Sequence, residues 1–153
     1  MTSPVAGWTR SRYFGYIRGN LRRAFARYPN KYKALAASKE GRNKYRCAKC
    51  NGVFPNKQVA VDHIIPCGSL RSFHDLPRFV NNLFTDIKGL QILCKKCHDR
   101  KTLEDKGYTA KDIKVLAFRK LKAKGQRDKL HSLGVKEVGC NALKRIKQYE
   151  EMV

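Results

Sequence analysis

Apolar residues at Phe14, Ile17, Leu21, Phe25 and Tyr28 recur at helical spacing, which predicts a helix over residues 11–28 with one buried stripe. Arg18, Arg22, Arg23 and Arg27 fall between them and project off that stripe. Pro29 and Asn30 end the helix. A second short helix is predicted over 32–38, then a basic linker over 41–44. There the texture changes. Residues 45–54 place a cysteine knuckle ahead of a short strand, and 58–65 read as an extended segment in which Val59, Val61, His63 and Ile65 alternate with other residues. Pro66 stops it, because proline cannot donate to a strand ladder. Residues 67–88 form a long irregular insert with a short helix around 76–84. A brief apolar strand, 90–93, then runs into Cys94, and a helix begins at or just after Lys95.

Further on, Thr109 and Asp112 fit a capping box that opens a helix to about Lys124, with Ile113, Leu116, Ala117 and Leu121 on one face. Helices over 126–132 and 136–150 follow, with Gly134 between them. There is no internal repeat or low-complexity tract. The expected organisation is α+β in three parts: a helical extension over 1–44, a core over 45–105 and a second helical extension over 106–153. The last part outlines a helix-turn-helix reader or, equally, a plain helical cap.

Charge adds a partner to this picture. Thirty-four Lys and Arg stand against twelve Asp and Glu, a formal net charge of +22. The excess is uneven. Residues 1–46 hold twelve basic side chains and one acid, Glu40; residues 47–105 hold nine against six; residues 106–148 hold thirteen against three. Such flanks repel one another until a polyanion relieves them by releasing condensed counterions. No helix reads as a membrane-surface amphipath, so nucleic acid is favoured over an acidic membrane or a merely solvated surface. Composition alone does not separate DNA from RNA. No apolar run approaches 18 residues and no apolar signal core is present, so a soluble, intracellular, cytoplasmic protein with no membrane partner is expected.

Four of the six cysteines form two close pairs, Cys47-x2-Cys50 and Cys94-x2-Cys97. Two such knuckles match tetrahedral zinc, since each turn can point two sulfurs at one ion, and the metal would stitch the start of the core to its end. Four thiolates leave no open position, so this zinc would be structural. Cys67 and Cys140 read as ordinary buried or surface residues, and His74 and His131 as exposed ones. Between the knuckles lie Asp62 and His63, and His98 follows the second knuckle directly. On a strand, Asp62 and His63 point to opposite faces, so one can ligate a metal while its neighbour addresses a substrate.

The run Cys47-Ala48-Lys49-Cys50, then Asp62-His63-Ile64-Ile65-Pro66, then the stretch from Leu90-Gln91-Ile92-Leu93-Cys94 through Cys97-His98 to Thr102, resembles the zinc-knuckle branch of the HNH endonucleases. The resemblance covers residues 45–103, and the Arg-rich leader also looks like those of phage-encoded members. It implies a ββα-metal fold, with Asp62 and His63 on a two-stranded hairpin and His98 on a helix. It implies that His63 is the general base activating water against a DNA phosphodiester, and that Asp62 and His98 hold one divalent cation, Mg²⁺, Mn²⁺ or another. It also implies a phage-encoded protein acting on DNA, nicking or cutting both strands, in a bacterial host. The competing reading is a zinc-ribbon nucleic-acid-binding protein without catalysis; an RNA-directed nuclease is a third.

Two positions depart from the family pattern. Gly89 stands where the family carries an Asn that braces the loop of the general base; Asn81 or Asn82 could substitute, or the backbone alone could serve. Thr102 stands where some branches carry another metal-binding His. For phosphate contacts, Lys95, Lys96, Arg100 and Lys101 flank the expected site, Arg22, Arg23 and Arg27 lie further off, and Lys144 and Arg145 sit on the last helix. Contacts of this kind position a duplex, double-stranded DNA as the resemblance implies, without reading its sequence.

Overall fold

The computed structural model describes residues 4–153, and the chain divides into two compact units, Met1–His98 and Asp99–Val153. In the first, α1 (Arg10–Phe25) opens where the Thr9 hydroxyl accepts the Arg12 backbone N–H at 3.2 Å. It turns Phe14, Ile17, Leu21 and Phe25 onto Phe79 and Leu83 of α3 (Leu76–Leu83), with Cys67 and Leu70 of the insert completing the cluster. This is the predicted stripe, except that Tyr28 falls outside the helix. Pro29, expected to end one helix, instead begins the next, α2 (Pro29–Ala37). Its fixed φ and missing N–H suit a first helical position.

β1 (Lys44–Arg46) and β2 (Val53–Pro55) pair antiparallel on either side of the first cysteine knuckle. β3 (Val59–His63) pairs antiparallel with β4 (Leu90–Cys94), Val59 opposite Cys94 and His63 opposite Leu90. α4 (Lys95–Glu104) leaves β4 directly. The result is α+β, with a strand pair followed by a helix at its centre. β4 is the most buried strand: Leu90 and Ile92 pack with Ala34 of α2, while Leu93 and Cys94 pack with Cys47.

The second unit begins within α4 and holds three further helices. The Thr109–Asp112 capping box forms as predicted and opens α5 (Ala110–Arg119). That helix ends before Lys124, and its buried residues are Val115 and Phe118 rather than the predicted stripe; Leu121 is 43% exposed. The reason is aromatic. Phe118 stacks on Tyr149 with ring centroids 4.2 Å apart and planes within 5°, and so large a pair decides which face turns inward. α6 (Ala123–Ser132) follows, then α7 (Ala142–Met152), whose first N–H groups are capped by Asn141 rather than continuing from residue 136. Residues 133–141 between α6 and α7 exceed the three- to four-residue turn of a helix-turn-helix. Among the described residues no helix is long and apolar enough to cross a membrane.

Candidate active site and metal centre

The two knuckles meet. The Sγ atoms of Cys47, Cys50, Cys94 and Cys97 all lie within 4.8 Å of one another, with Cys50 and Cys94 at 4.0 Å. Disulfides need sulfurs about 2 Å apart, and none of these cysteines is so bonded. A tetrahedral ion with metal–sulfur bonds of about 2.3 Å would hold its sulfurs about 3.8 Å apart, so the four thiols fit a metal such as zinc.

Local hydrogen bonding explains why the sulfurs converge. The Asn51 N–H returns to the Cys47 carbonyl at 2.9 Å, with Asn51 at φ +56°, and the Cys47 N–H reaches the Gly52 carbonyl at 2.9 Å. A side chain at Gly52 would stand 2.7 Å from the far edge of the Phe54 ring, which would have to shift to admit it. The Ala48 N–H donates to the Ile92 carbonyl at 2.8 Å, pinning the first knuckle to β4, and the Cys94 N–H donates to Cys47 Sγ at 3.3 Å. Burial pushes the Cys47 thiol up, but the N–H groups of Cys94, Cys50 and Lys49 outweigh it and bring the thiol down to about 6. Burial and the neighbouring thiols of Cys94, Cys47 and Cys50 push Cys97 up to about 12. One site thus holds a readily formed thiolate beside a thiol that resists a second negative charge, and a cation would resolve that conflict.

β3 carries the next two groups to opposite faces. Asp62, paired across the ladder with Gln91, has its Oδ1 3.8 Å from His98 Nε2 on α4. Gln91 Nε2 donates to the other carboxylate oxygen, Oδ2, at 3.0 Å. Two donors bound to one ion at 2.0–2.2 Å stand about 3–4 Å apart, so Asp62 and His98 fit a shared divalent cation.

His63 turns the other way, onto Phe25 of α1, with ring centroids 4.7 Å apart. Its Nε2 lies 2.9 Å from the carbonyl oxygen of Leu83, the last residue of α3. A carbonyl can only accept, so the proton of the neutral ring sits on Nε2 and the lone pair on Nδ1.

Gly89 sits beside this arrangement. Its carbonyl accepts the Ile64 N–H at 2.9 Å, extending the strand pair just past His63. A Cβ here would stand 2.3 Å from Thr85 Oγ1 and 2.8 Å from its Cγ2, so with Thr85 in place no side chain fits. Asn82 Nδ2 does reach the loop after His63, donating to the Pro66 carbonyl at 3.4 Å, whereas Asn81 is exposed.

The chain is 37% identical over 65 residues to a protein of Lactococcus phage SK1 named "Probable HNH endonuclease". The chain resembles HNH endonucleases. The matched stretch is 42% of this chain and spans 62% of the phage protein's length. No family model and no solved structure matches.

Among the basic residues expected to meet DNA, Arg22, Arg23, Arg27, Lys95, Lys96, Arg100 and Lys144 are exposed. Arg145 corrects the expectation. It is 5% exposed, and its guanidinium donates to Gln126 Oε1 at 2.9 Å and to the carbonyls of Gly139 at 3.0 Å and Cys140 at 2.9 Å. Nε and Nη1 are thereby spent within the second unit, and burial leaves the guanidinium poorly placed to meet a phosphate. Lys101 is also turned inward, its ammonium 2.6 Å from Asp105 with the side chain 14% exposed. The sequence reading assigned nothing to Gln91 or Phe25 at the site. Gln91 was within reach of a register argument, lying opposite Asp62; the Leu83 carbonyl carries no side-chain signal at all.

Proposed function

We infer that the protein is a metal-dependent endonuclease of the HNH type, acting on DNA, with His63 as general base. One observation carries the reading: His63, anchored through Nε2, lies next in the chain to Asp62, which faces His98 across 3.8 Å. A purely nucleic-acid-binding zinc protein has no need of that trio.

The residues divide the work by their atoms. His63 gives Nε2–H to Leu83 and keeps Nδ1 free of protons, the state a base needs to take a proton from water. After protonation both ring nitrogens are donors, so the Leu83 contact persists through the step. Asp62 is oriented by Gln91 on one oxygen and presents the other toward His98. A divalent cation bound there would neutralise charge on the scissile phosphate and stabilise the departing 3′ oxygen. The four cysteines would hold a structural zinc, fixing Cys97 and with it the chain direction at His98. Exposed arginines of α1 would grip phosphates, and the excess charge of the flanking segments would steer the duplex in.

The test is conversion of supercoiled plasmid to nicked or linear DNA with Mg²⁺ or Mn²⁺, with EDTA as control. His63→Ala should abolish cutting while leaving DNA affinity and a cooperative fold intact, at some loss of melting temperature from the Phe25 and Leu83 contacts. Full cutting by that variant would remove His63 from the mechanism. A wild-type protein that holds zinc, binds DNA and never cuts would be the non-catalytic zinc-ribbon binder instead.

A further inference from the structure

The three residues that follow one another at the end of α3, Leu83, Phe84 and Thr85, each offer a carbonyl to a side chain from elsewhere. Leu83 takes the His63 imidazole at 2.9 Å. Phe84 takes the Tyr28 hydroxyl at 2.9 Å, and Thr85 takes Asn30 Nδ2 at 3.4 Å. Asn30 Nδ2 also donates to the Tyr28 oxygen at 3.0 Å, so the two donors are linked. Both sit at the corner between α1 and α2, one turn beyond Phe25, whose ring packs on His63. Tyr28 adds edge contact with the Phe84 ring, centroids 5.4 Å apart.

We propose that Tyr28 and Asn30 are positioning residues for His63, bracing the Leu83–Thr85 carbonyls so that the imidazole keeps its proton on Nε2 and its lone pair on Nδ1. This rests on the reading of His63 as general base.

The physical case is that a helix C-terminus leaves its last carbonyls without intrahelical partners, and such ends fray or tighten unless something holds them. α3 has only eight residues and ends on a backbone that departs from helix at Phe84 (φ −98°, ψ 44°). The Leu83 carbonyl can therefore point at His63 only if the residues after it are fixed. Gly89, the neighbouring position, has no side chain to do this and no room for one. Tyr28 and Asn30 do it from the leader instead, in a part-buried setting where each hydrogen bond counts for more than in water.

The experiment uses the full-length, zinc-loaded protein carrying Tyr28→Phe and Asn30→Asp together. Tyr28→Phe keeps the ring contacts and removes the hydroxyl. Asn30→Asp keeps the shape, removes the donor, and puts an acid in the first turn of α2, where it favours the helix. Tyr32→Phe is the matched control: that hydroxyl donates to the Ala26 carbonyl at 3.2 Å, within the leader itself. The tautomer of His63 is read by nitrogen NMR of the imidazole, alongside kcat and KM for plasmid cleavage.

The wild type and Tyr32→Phe should show a single Nε2–H tautomer. The double variant should show a mixture, with kcat down tenfold or more and KM within twofold. Should the double variant prove too unstable, Tyr28→Phe alone should shift the tautomer in the same direction. An unchanged tautomer in a folded double variant overturns the proposal whatever the activity. If the wild type does not cut but the tautomer responds, the positioning stands and it is the endonuclease reading that falls.

Discussion

Replacing Gly89 by alanine should destabilise the first unit, and Thr85 is the reason. The added Cβ would stand 2.3 Å from Thr85 Oγ1, 2.8 Å from Cγ2 and 3.1 Å from Cβ. Ordinary carbon contacts are about 3.5–4.0 Å, so the threonine must move by an ångström or the strand end must shift. Thr85 is β-branched and has one torsion to adjust, and leaving its rotamer well costs about 0.5–1.5 kcal/mol before any backbone strain. Against this, alanine loses less chain entropy than glycine on folding, a gain of about 0.4–1 kcal/mol where the backbone is compatible. Overpacking of a filled site typically costs about 1–3 kcal/mol, so the clash wins.

Thr85→Ala removes the two closest atoms and leaves the 3.1 Å contact with Cβ. The double variant Gly89→Ala with Thr85→Ala should therefore recover most of the loss, giving a coupling of about 1 kcal/mol or more in a double-mutant cycle. Urea unfolding followed by Trp8 fluorescence reads this directly, because Trp8 is the sole tryptophan and packs edge-on against Tyr16 of α1 in the same unit. A Gly89→Ala protein as stable as wild type, or additive effects in the cycle, would show that Thr85 does not dictate the glycine. An asparagine at 89 would meet the same obstruction with more atoms. With Thr85 in place, this loop's packing leaves room at position 89 for glycine alone.

Metal analysis of reduced, natively purified protein should find about one zinc per chain, and Cys94→Ala should lose it together with the cooperative melt of the first unit, since metal binding is folding free energy in such sites. Arg145→Ala should destabilise the second unit by about 3 kcal/mol or more, because it strands the Gln126, Gly139 and Cys140 oxygens; Arg145→Lys should not rescue it, having no fork to reach three acceptors. Circular dichroism melts of the two variants check this. The Thr109 hydroxyl and then its N–H hold the Asp112 carboxyl below the usual carboxylate range. A depressed folded value means the cap contributes stability above about pH 4 and loses it as pH falls through the lowered value. Amide exchange at the start of α5 should lose protection over that acid range, and Asp112→Asn should flatten the dependence.

Much of the centre could be read from the chain because its signals are local. The cysteine spacing, the strand before Pro66 (which ends at His63, two residues short of Ile65), and the Thr109 capping box each depend on a few adjacent residues, and each formed. The misreadings share a different cause, a partner far along the chain. Val115 and Phe118 turn inward because Tyr149 is there to stack on, which no periodicity over 109–124 contains. Arg145 looks like any surface cation in a basic helix until Gln126 and two loop carbonyls claim it. The bracing of His63 was hidden for the same reason, since Tyr28 and Phe84 are 56 positions apart and the acceptors are main-chain oxygens.

The leader, then, is more than a basic arm. Its exposed arginines suit phosphate contacts, but its buried side carries Phe25 to the His63 ring and Tyr28 and Asn30 to the loop that anchors that ring. If the chain is the proposed endonuclease, a segment that both meets the polyanion and positions His63 would couple binding to catalysis through this one corner. Replacing Tyr28 by Phe and Asn30 by Asp should therefore lower kcat, whereas replacing Arg22, Arg23 and Arg27 by glutamine should weaken affinity and its salt dependence and leave kcat alone. Saturating-DNA kinetics on the two proteins separates these effects. Equal kcat in both would mean the leader acts on DNA only, and that the core holds His63 in place without it.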